Sequence, residues 1–420
     1  YKEGKALEQY RKYFSLYSKG DYKPQQLVDS LKQADGAFSE SLLVRKRDIE
    51  EADYAFLVYH IDWAFKVWRE QPWGKHVPFA DFCEYILPYR VGDEPLAEWR
   101  DALYAEYNPL LDSLRASACA DDPLAAARVI MTAWRKKAYK WTFVFPGGPH
   151  VGPQIVEWKC GSCREYTDGI SYLFRALGIP AGTDKLLMRG NGNAPHSWGF
   201  TFDKAGNTYI TEPVMWAKAE EQTALKAKVE RVTYSLNREL VSRIADIRSV
   251  YPSFRLPMFK DVTRLYSVHP VRLQIGREEM YREVEEDEPV YLCVAEHLRW
   301  IPVDITYSQG GKVTFADIDG GIVAILATGK GERLELLTDP FFIAKETGRL
   351  SFYRVQPEKE RVRLYAKYGL GEDMGDFVHR MAGGVIEGSN CRDFSDADTL
   401  YFIEEPPYRL FTTVRPRVMK

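Results

Sequence analysis

The 420-residue sequence contains no apolar run of the roughly 20 residues that a membrane-spanning helix needs, so no transmembrane segment is predicted. It has no excess of positive charge either. Lys and Arg number 57 against 60 Asp and Glu, and no basic block exceeds "RKK" at 135–137, which excludes a nucleic-acid partner from the expectations. Histidine is scarce, with only seven. The six cysteines (Cys83, Cys119, Cys160, Cys163, Cys293, Cys391) are scattered, which is not the spacing of a disulfide framework. There is no second C-x-x-C and no closely spaced His pair, so no structural metal site and no cofactor is predicted.

The composition is 45% hydrophobic and 28% charged, which belongs to a globular chain. The length calls for two to four domains. The many aromatics (26 Tyr, 21 Phe, 10 Trp) fill cores and interfaces on the plain reading, and a glycan-binding face is the functional one. The chain begins at Tyr1 rather than Met and is read as a mature protein whose signal peptide has been removed.

Periodicity divides the chain. Residues 1–120 read as an N-terminal helical region, with one helix over 48–73 and another over 93–118 capped by Asp93. Asp122 and Pro123 open a further helix. A Gly/Pro loop, "FPGGPHVGP", carries His150, read as exposed. After about residue 183 the period turns to alternation, with "DKLLMRG", "HSWGFTF" and "TYITEPVMW" as strands. The polar run 219–240 reads as an exposed helix. From 251 to 372 the alternating segments and Gly turns predict a β-sandwich-like domain, and 373–420 the start of another β unit. The 121–250 segment between them carries the chemistry.

That chemistry centres on "WKCGSCREYTDGISYLFRALGIPAG" at 158–182. Cys160 and Cys163 could be half a zinc site, a redox dithiol, or one nucleophile with an incidental neighbour. Zinc lacks its other ligands. The redox reading lacks a Trp adjacent to the first Cys and a βαβ context. The third reading has positive support. Ser162 and Glu165 have capping-box spacing, which makes Cys163 the first helical residue. Tyr166, Ile170, Leu173, Phe174 and Leu177 share one face, and Gly178 and Pro180 end the helix. A thiol at a helix N-terminus is acidified by the free N–H groups there. Its general base is predicted to be His196, at the start of a strand. The turn at 203–207 brings Glu212 back beside His196 to orient the ring, Asp203 being the rival acid but better suited to the turn itself. Gln154 and Trp158 are candidates for a second oxyanion donor.

These residues resemble the transglutaminase-like superfamily, whose core is of the papain type. Gly161, Cys163, Glu165, Arg175, Gly178, Ile179, Pro180 and Ala181 match its first block, His196 and Trp198 its second, and Glu212 with Pro213 its third. The resemblance covers 161–213 and departs at two points: Glu212 stands where Asp is usual, and Gly182 where Arg is usual. It implies an α+β fold, with a papain/transglutaminase-like core between the N-terminal helical region and C-terminal β-sandwich-like domains. It implies Cys163 as nucleophile, His196 as base and acid and Glu212 as orienting acid, acting on a peptide, protein or glycopeptide amide as a peptidase or amidase, or as a transglutaminase. The alternative is an inactive scaffold that binds glycan or protein through its β-domains. The flanks resemble large secreted or lipid-anchored bacterial proteins, and the 381–403 stretch a discoidin-like module. Both imply export to the periplasm, cell surface or medium. Asp393, Asp396 and Asp398 are read as a solvated loop rather than a calcium site.

Overall fold

The computed structural model describes residues 1–143, 148–190, 194–212, 216–244, 246–296, 299–354, 363–365, 382–389, 391, 393–404 and 411–413. The chain forms two compact units, Tyr1–Phe352 and Tyr353–Lys420. It combines helices and mostly antiparallel sheets, an α+β arrangement. Among the described residues no helix is long and apolar enough to cross a membrane.

The helix Cys163–Ala176 organises the larger unit. Ser162 caps it, and the Ser162 backbone N–H donates to Glu165 Oε2 at 2.8 Å, completing the capping box. At its other end Gly178 has φ +70°, and the Ile179 N–H reaches back to the Phe174 carbonyl at 2.9 Å, a Schellman closure. A side chain at Gly178 would meet the Val67 carbonyl oxygen at 2.7 Å. Every residue from Glu165 to Ala176 is buried, so the polar ones need partners from elsewhere. The Arg175 guanidinium donates to the carbonyl oxygens of Arg90 and Ala181, and the Tyr172 hydroxyl donates to Glu94.

This helix lies on a five-stranded antiparallel sheet with the spatial order Thr208–Ile210, His196–Phe202, Gly182–Leu186, Glu230–Val232, Phe259–Asp261. Gly199 leaves room for Thr211 beside its strand, because a Cβ there would meet Thr211 Oγ1 at 2.4 Å. Beyond the sheet, a six-stranded sheet is built from Pro289–Glu296, Arg299–Tyr307, Ile322–Lys330, Arg333–Leu336, Phe341–Ile343 and Leu350–Phe352, and Val271–Gly276 pairs with Lys312–Ile318. In the smaller unit Val385–Gly388 pairs with Asp398–Phe402, and Arg363–Tyr365 with Phe411–Thr413. Of the 381–403 stretch expected to begin a discoidin-like module, only positions 381, 390 and 392 lie outside the described residues.

Three local expectations are corrected. The 48–73 helix begins only at Tyr54, because Asp53 takes the cap position and accepts from the Phe56 N–H at 2.8 Å. Asp93 caps nothing. The helix starts at Arg100, and the buried Glu94 carboxylate instead accepts the N–H groups of Val91 and Gly92, holding that segment in a turn. The 219–240 run is not an exposed helix. It contains the strand Glu230–Val232 and ends in the short helix Arg238–Arg243. The charged residues of its middle part, 226–231, are buried and paired, Lys226 with Asp319, Lys228 with Asp304 and Arg231 with Asp184. Polarity marked internal ion pairs here, not a solvated face.

The Arg231–Asp184 pair ties together the two strands behind the Cys163 helix. Arg231 Nε and Nη2 each donate to an Asp184 oxygen at 2.8 Å, the Tyr266 hydroxyl donates to the same carboxylate at 2.5 Å, and all three residues are buried. Arg231→Met strands the Asp184 charge and is expected to cost about 3–5 kcal/mol in urea denaturation. Pairing it with Asp184→Leu is expected to recover most of that loss.

Candidate active site

Cys163 is the first residue of its helix, where the backbone N–H groups have no intrahelical acceptor. His196 opens the neighbouring strand. On one side the His196 ring lies close enough to the Cys163 thiol that each shifts the other's titration. On the other, His196 Nε2 donates to Glu212 Oε1 at 2.7 Å. Both side chains of that pair are largely buried. Continuing the register of Phe200 opposite Ile210 puts Glu212 across from Trp198, so the carboxylate reaches His196 along the diagonal, a separation that a long side chain spans. The extra methylene of Glu over Asp suits this reach. The Asp203 carboxylate accepts the N–H groups of Ala205 and Asn207, both at 2.9 Å, and stays in the turn.

Ser197 had no role in the sequence reading, yet its hydroxyl donates to Cys163 Sγ at 3.6 Å and its backbone N–H also reaches the sulfur. Burial pushes the Cys163 thiol up, but the bonds from His196 and Ser197 outweigh it and hold the group below the usual thiol range. Burial likewise disfavours a charged His196, and its bonds to Cys163 and Glu212 raise it above the ordinary imidazole value. Both shifts favour a thiolate–imidazolium pair. The other cysteine of the motif is different. Cys160 is buried and unpaired, its thiol 3.5 Å from the Phe14 carbonyl oxygen, and burial pushes it up to about 12.

The pair opens into a cavity of about 700 Å³. One wall is aromatic: Trp141 stacks with Phe143 and Tyr166, at centroid distances of 6.4 and 5.8 Å. Gln154 and Trp158 are not among its lining residues. His150, expected to be exposed, lines the cavity instead. Its Nδ1 lies 2.8 Å from Asp168 Oδ2, and Asp168 projects from the Cys163 helix. The sequence signal for this pair was slight, because the loop and the helix meet only in the fold. Among the described residues no cluster of three or more His, Cys, Asp or Glu is gathered for a metal ion.

Burial works against a positive His150, but Asp168 outweighs it and holds the ring at about 9, with Arg164 opposing and Glu94 adding. An unfolded histidine titrates near 6.5. The stabilisation from the pair is therefore complete below the unfolded value and is lost as pH rises through about 9. Asp168→Asn removes it. The stability gap between wild type and variant in urea denaturation should shrink by about 1–3 kcal/mol between about pH 6 and about pH 10.

No protein-family model matches the chain, and a search of curated proteins gives no match. Among solved structures the chain is similar to the crystal structure of the periplasmic domain of TgpA from Pseudomonas aeruginosa bound to ethylmercury, with 17% sequence identity and a TM-score of 0.22. The similarity covers 28% of this chain and 45% of that one, so the chain spans less than half the length of its neighbour. A likeness of this size carries no argument about function.

Proposed function

We propose that the chain performs thiol-dependent acyl transfer or hydrolysis at an amide bond in a papain/transglutaminase-like core, with peptidase or amidase action preferred over transglutaminase action. Cys163 is the nucleophile, His196 its base and acid, and Glu212 the orienting acid. The observation that carries this reading is the position of one imidazole, held between a helix-terminal thiol and a carboxylate. On this reading 121–250 is the core, extended by the edge strand Phe259–Asp261. Residues 1–120 flank it as a helical region, 251–372 form a β-sandwich-like domain, and 373–420 begin a discoidin-like unit. The protein works outside the cytoplasm, secreted or anchored as a lipoprotein.

The steps follow from which ring nitrogen is engaged. Nε2 is committed to Glu212, so Nδ1 faces the sulfur and carries the mobile proton. The Cys163 thiolate attacks the amide carbonyl carbon, and the carbonyl electron pair moves to oxygen. The backbone N–H of Cys163 is one donor to that oxyanion. Collapse breaks the C–N bond as His196 passes its proton to the leaving amine. His196 then takes a proton from water, which attacks the thioester and releases a carboxylic acid and the thiolate. An amine in place of water gives the transglutaminase product. Glu212 keeps the tautomer and stabilises the imidazolium. Ser197 offers two hydrogen bonds to the sulfur, favouring the ionised form.

The test is alkylation by iodoacetamide across pH, read at each cysteine by mass spectrometry. Near neutral pH Cys163 should react faster than the exposed Cys119 and Cys391. Glu212→Gln should slow this reaction near neutral pH by about ten- to a hundredfold, below the roughly 10⁴ lost with the orienting acid of a serine enzyme, because the helix end still favours thiolate. Its apparent thiol pKa should rise, and Asp203→Asn should leave the profile in place. A Cys163 that reacts no faster than Cys119 would replace the enzyme reading with that of a binding scaffold.

A further inference from the structure

We propose that Lys185 and Arg189 form an anion subsite beside Cys163, and that the acyl compounds entering this cavity carry a carboxylate. This deepens the acyl-transfer reading and rests on it.

Strand alternation is the first support. Thr183 and Lys185 fall on one side of the strand Gly182–Leu186, and both line the cavity together with Leu186 and with Leu187 and Arg189 of the bend that follows. Asp184, on the other side, is buried against Arg231. Register then sets Lys185 next to the chemistry. It lies directly opposite Ser197, whose hydroxyl touches Cys163 Sγ. Directly opposed residues on one face have Cβ atoms only about 5 Å apart. Arg189 sits at the other approach. Its Nη1 reaches the carbonyl oxygens of Ala194 and Pro195, the two residues preceding His196, at 3.5 and 3.4 Å.

Charge pairing is the second support. Three other cationic or potentially cationic side chains line the cavity, and each has a carboxylate against it: His150 has Asp168, Arg164 has Glu165 and His196 has Glu212. Arg189 has none among the described residues, and Lys185 has only a long ion pair with Glu230. Lys185 Nζ stands 3.7 Å from Glu230 Oε2, beyond hydrogen-bond length, and that oxygen accepts no hydrogen bond among the described residues. Arg189 makes only its two long bonds to neutral carbonyls and no ion pair among the described residues. Set against Asp168, Glu165, Glu212 and the Cys163 thiolate, the five cationic lining groups leave one positive charge over along this wall. Charge held in a partly enclosed site is best completed by an anion, and a guanidinium offers a planar fork that fits a carboxylate. Burial raises the Glu230 carboxyl to about 7, which further weakens its hold on Lys185.

Arg189 also braces the loop into His196, and the test separates the two roles. Rates of Cys163 alkylation by iodoacetate and by iodoacetamide are measured at one pH and low salt. The two reagents differ in charge, so their ratio reads the subsite, while the iodoacetamide rate alone reads the nucleophile. Lys185→Gln and Arg189→Gln should each lower the iodoacetate-to-iodoacetamide ratio by about three- to tenfold, as expected for one charge several ångströms away. The effect should fade with added salt. Arg189→Lys and Lys185→Arg keep the charge and should keep the ratio. A ratio unchanged in the double Gln variant overturns the subsite while leaving the nucleophile intact. So does a parallel fall in both rates, which is the mark of a brace alone. A wild-type Cys163 inert to both reagents overturns the acyl-transfer reading and this subsite with it.

Discussion

The larger unit depends on the burial of one polar helix. From Glu165 to Ala176 the Cys163 helix has no exposed face, yet it carries Glu165, Asp168, Tyr172 and Arg175. Water cannot satisfy these groups, and leaving them unsatisfied would cost about 1–3 kcal/mol each, more for the charged ones. The surrounding chain supplies partners from distant segments. Glu94 accepts from Tyr172, the Arg90 and Ala181 carbonyls and the Tyr234 hydroxyl engage Arg175, and His150 meets Asp168. Each partner draws a separate loop onto the helix, so one buried element fixes the paths of segments up to 85 residues away in sequence.

The same constraint fixes the N-terminal end of the helix. A helix buried along its length cannot shift its N-terminus without breaking those bonds, and the capping box and Schellman closure hold both ends. The strand His196–Phe202 packs against this end and sets Ser197 and His196 beside Cys163. Cys160, three residues earlier, lies before the cap and is sealed against Phe14. Two cysteines of one motif thus have opposite shifts: one faces hydrogen-bond donors at a cavity, while the other has only burial and a carbonyl oxygen.

Buried charge also explains where periodicity misled. In 226–231 nearly every second residue is Lys, Glu or Arg, which in isolation reads as a solvated face. Each of these charges has its counterion on another strand or loop, at Asp319, Asp304, Asp184 or Lys185. No local pattern reveals such a partner. Asp93 misled similarly: the carboxylate expected to cap a helix instead accepts the backbone N–H of His150, while its neighbour Glu94 accepts that of Val91 in a turn.

What the sequence by itself determined is whatever depends on neighbours within about five residues. The start and end of the Cys163 helix, the Asp122 cap, the Asp203 turn and the alternation of His196–Phe202 are short-range, because capping, turn geometry and strand period are short-range interactions. Only the tertiary structure decided which groups share the cavity. Ser197 beside the sulfur, His150 against Asp168, and Lys185 and Arg189 along the same cavity follow from strand register and from loops folded back over long separations. Proximity of that kind has no local signal, since it is set by how the whole core closes around one buried helix.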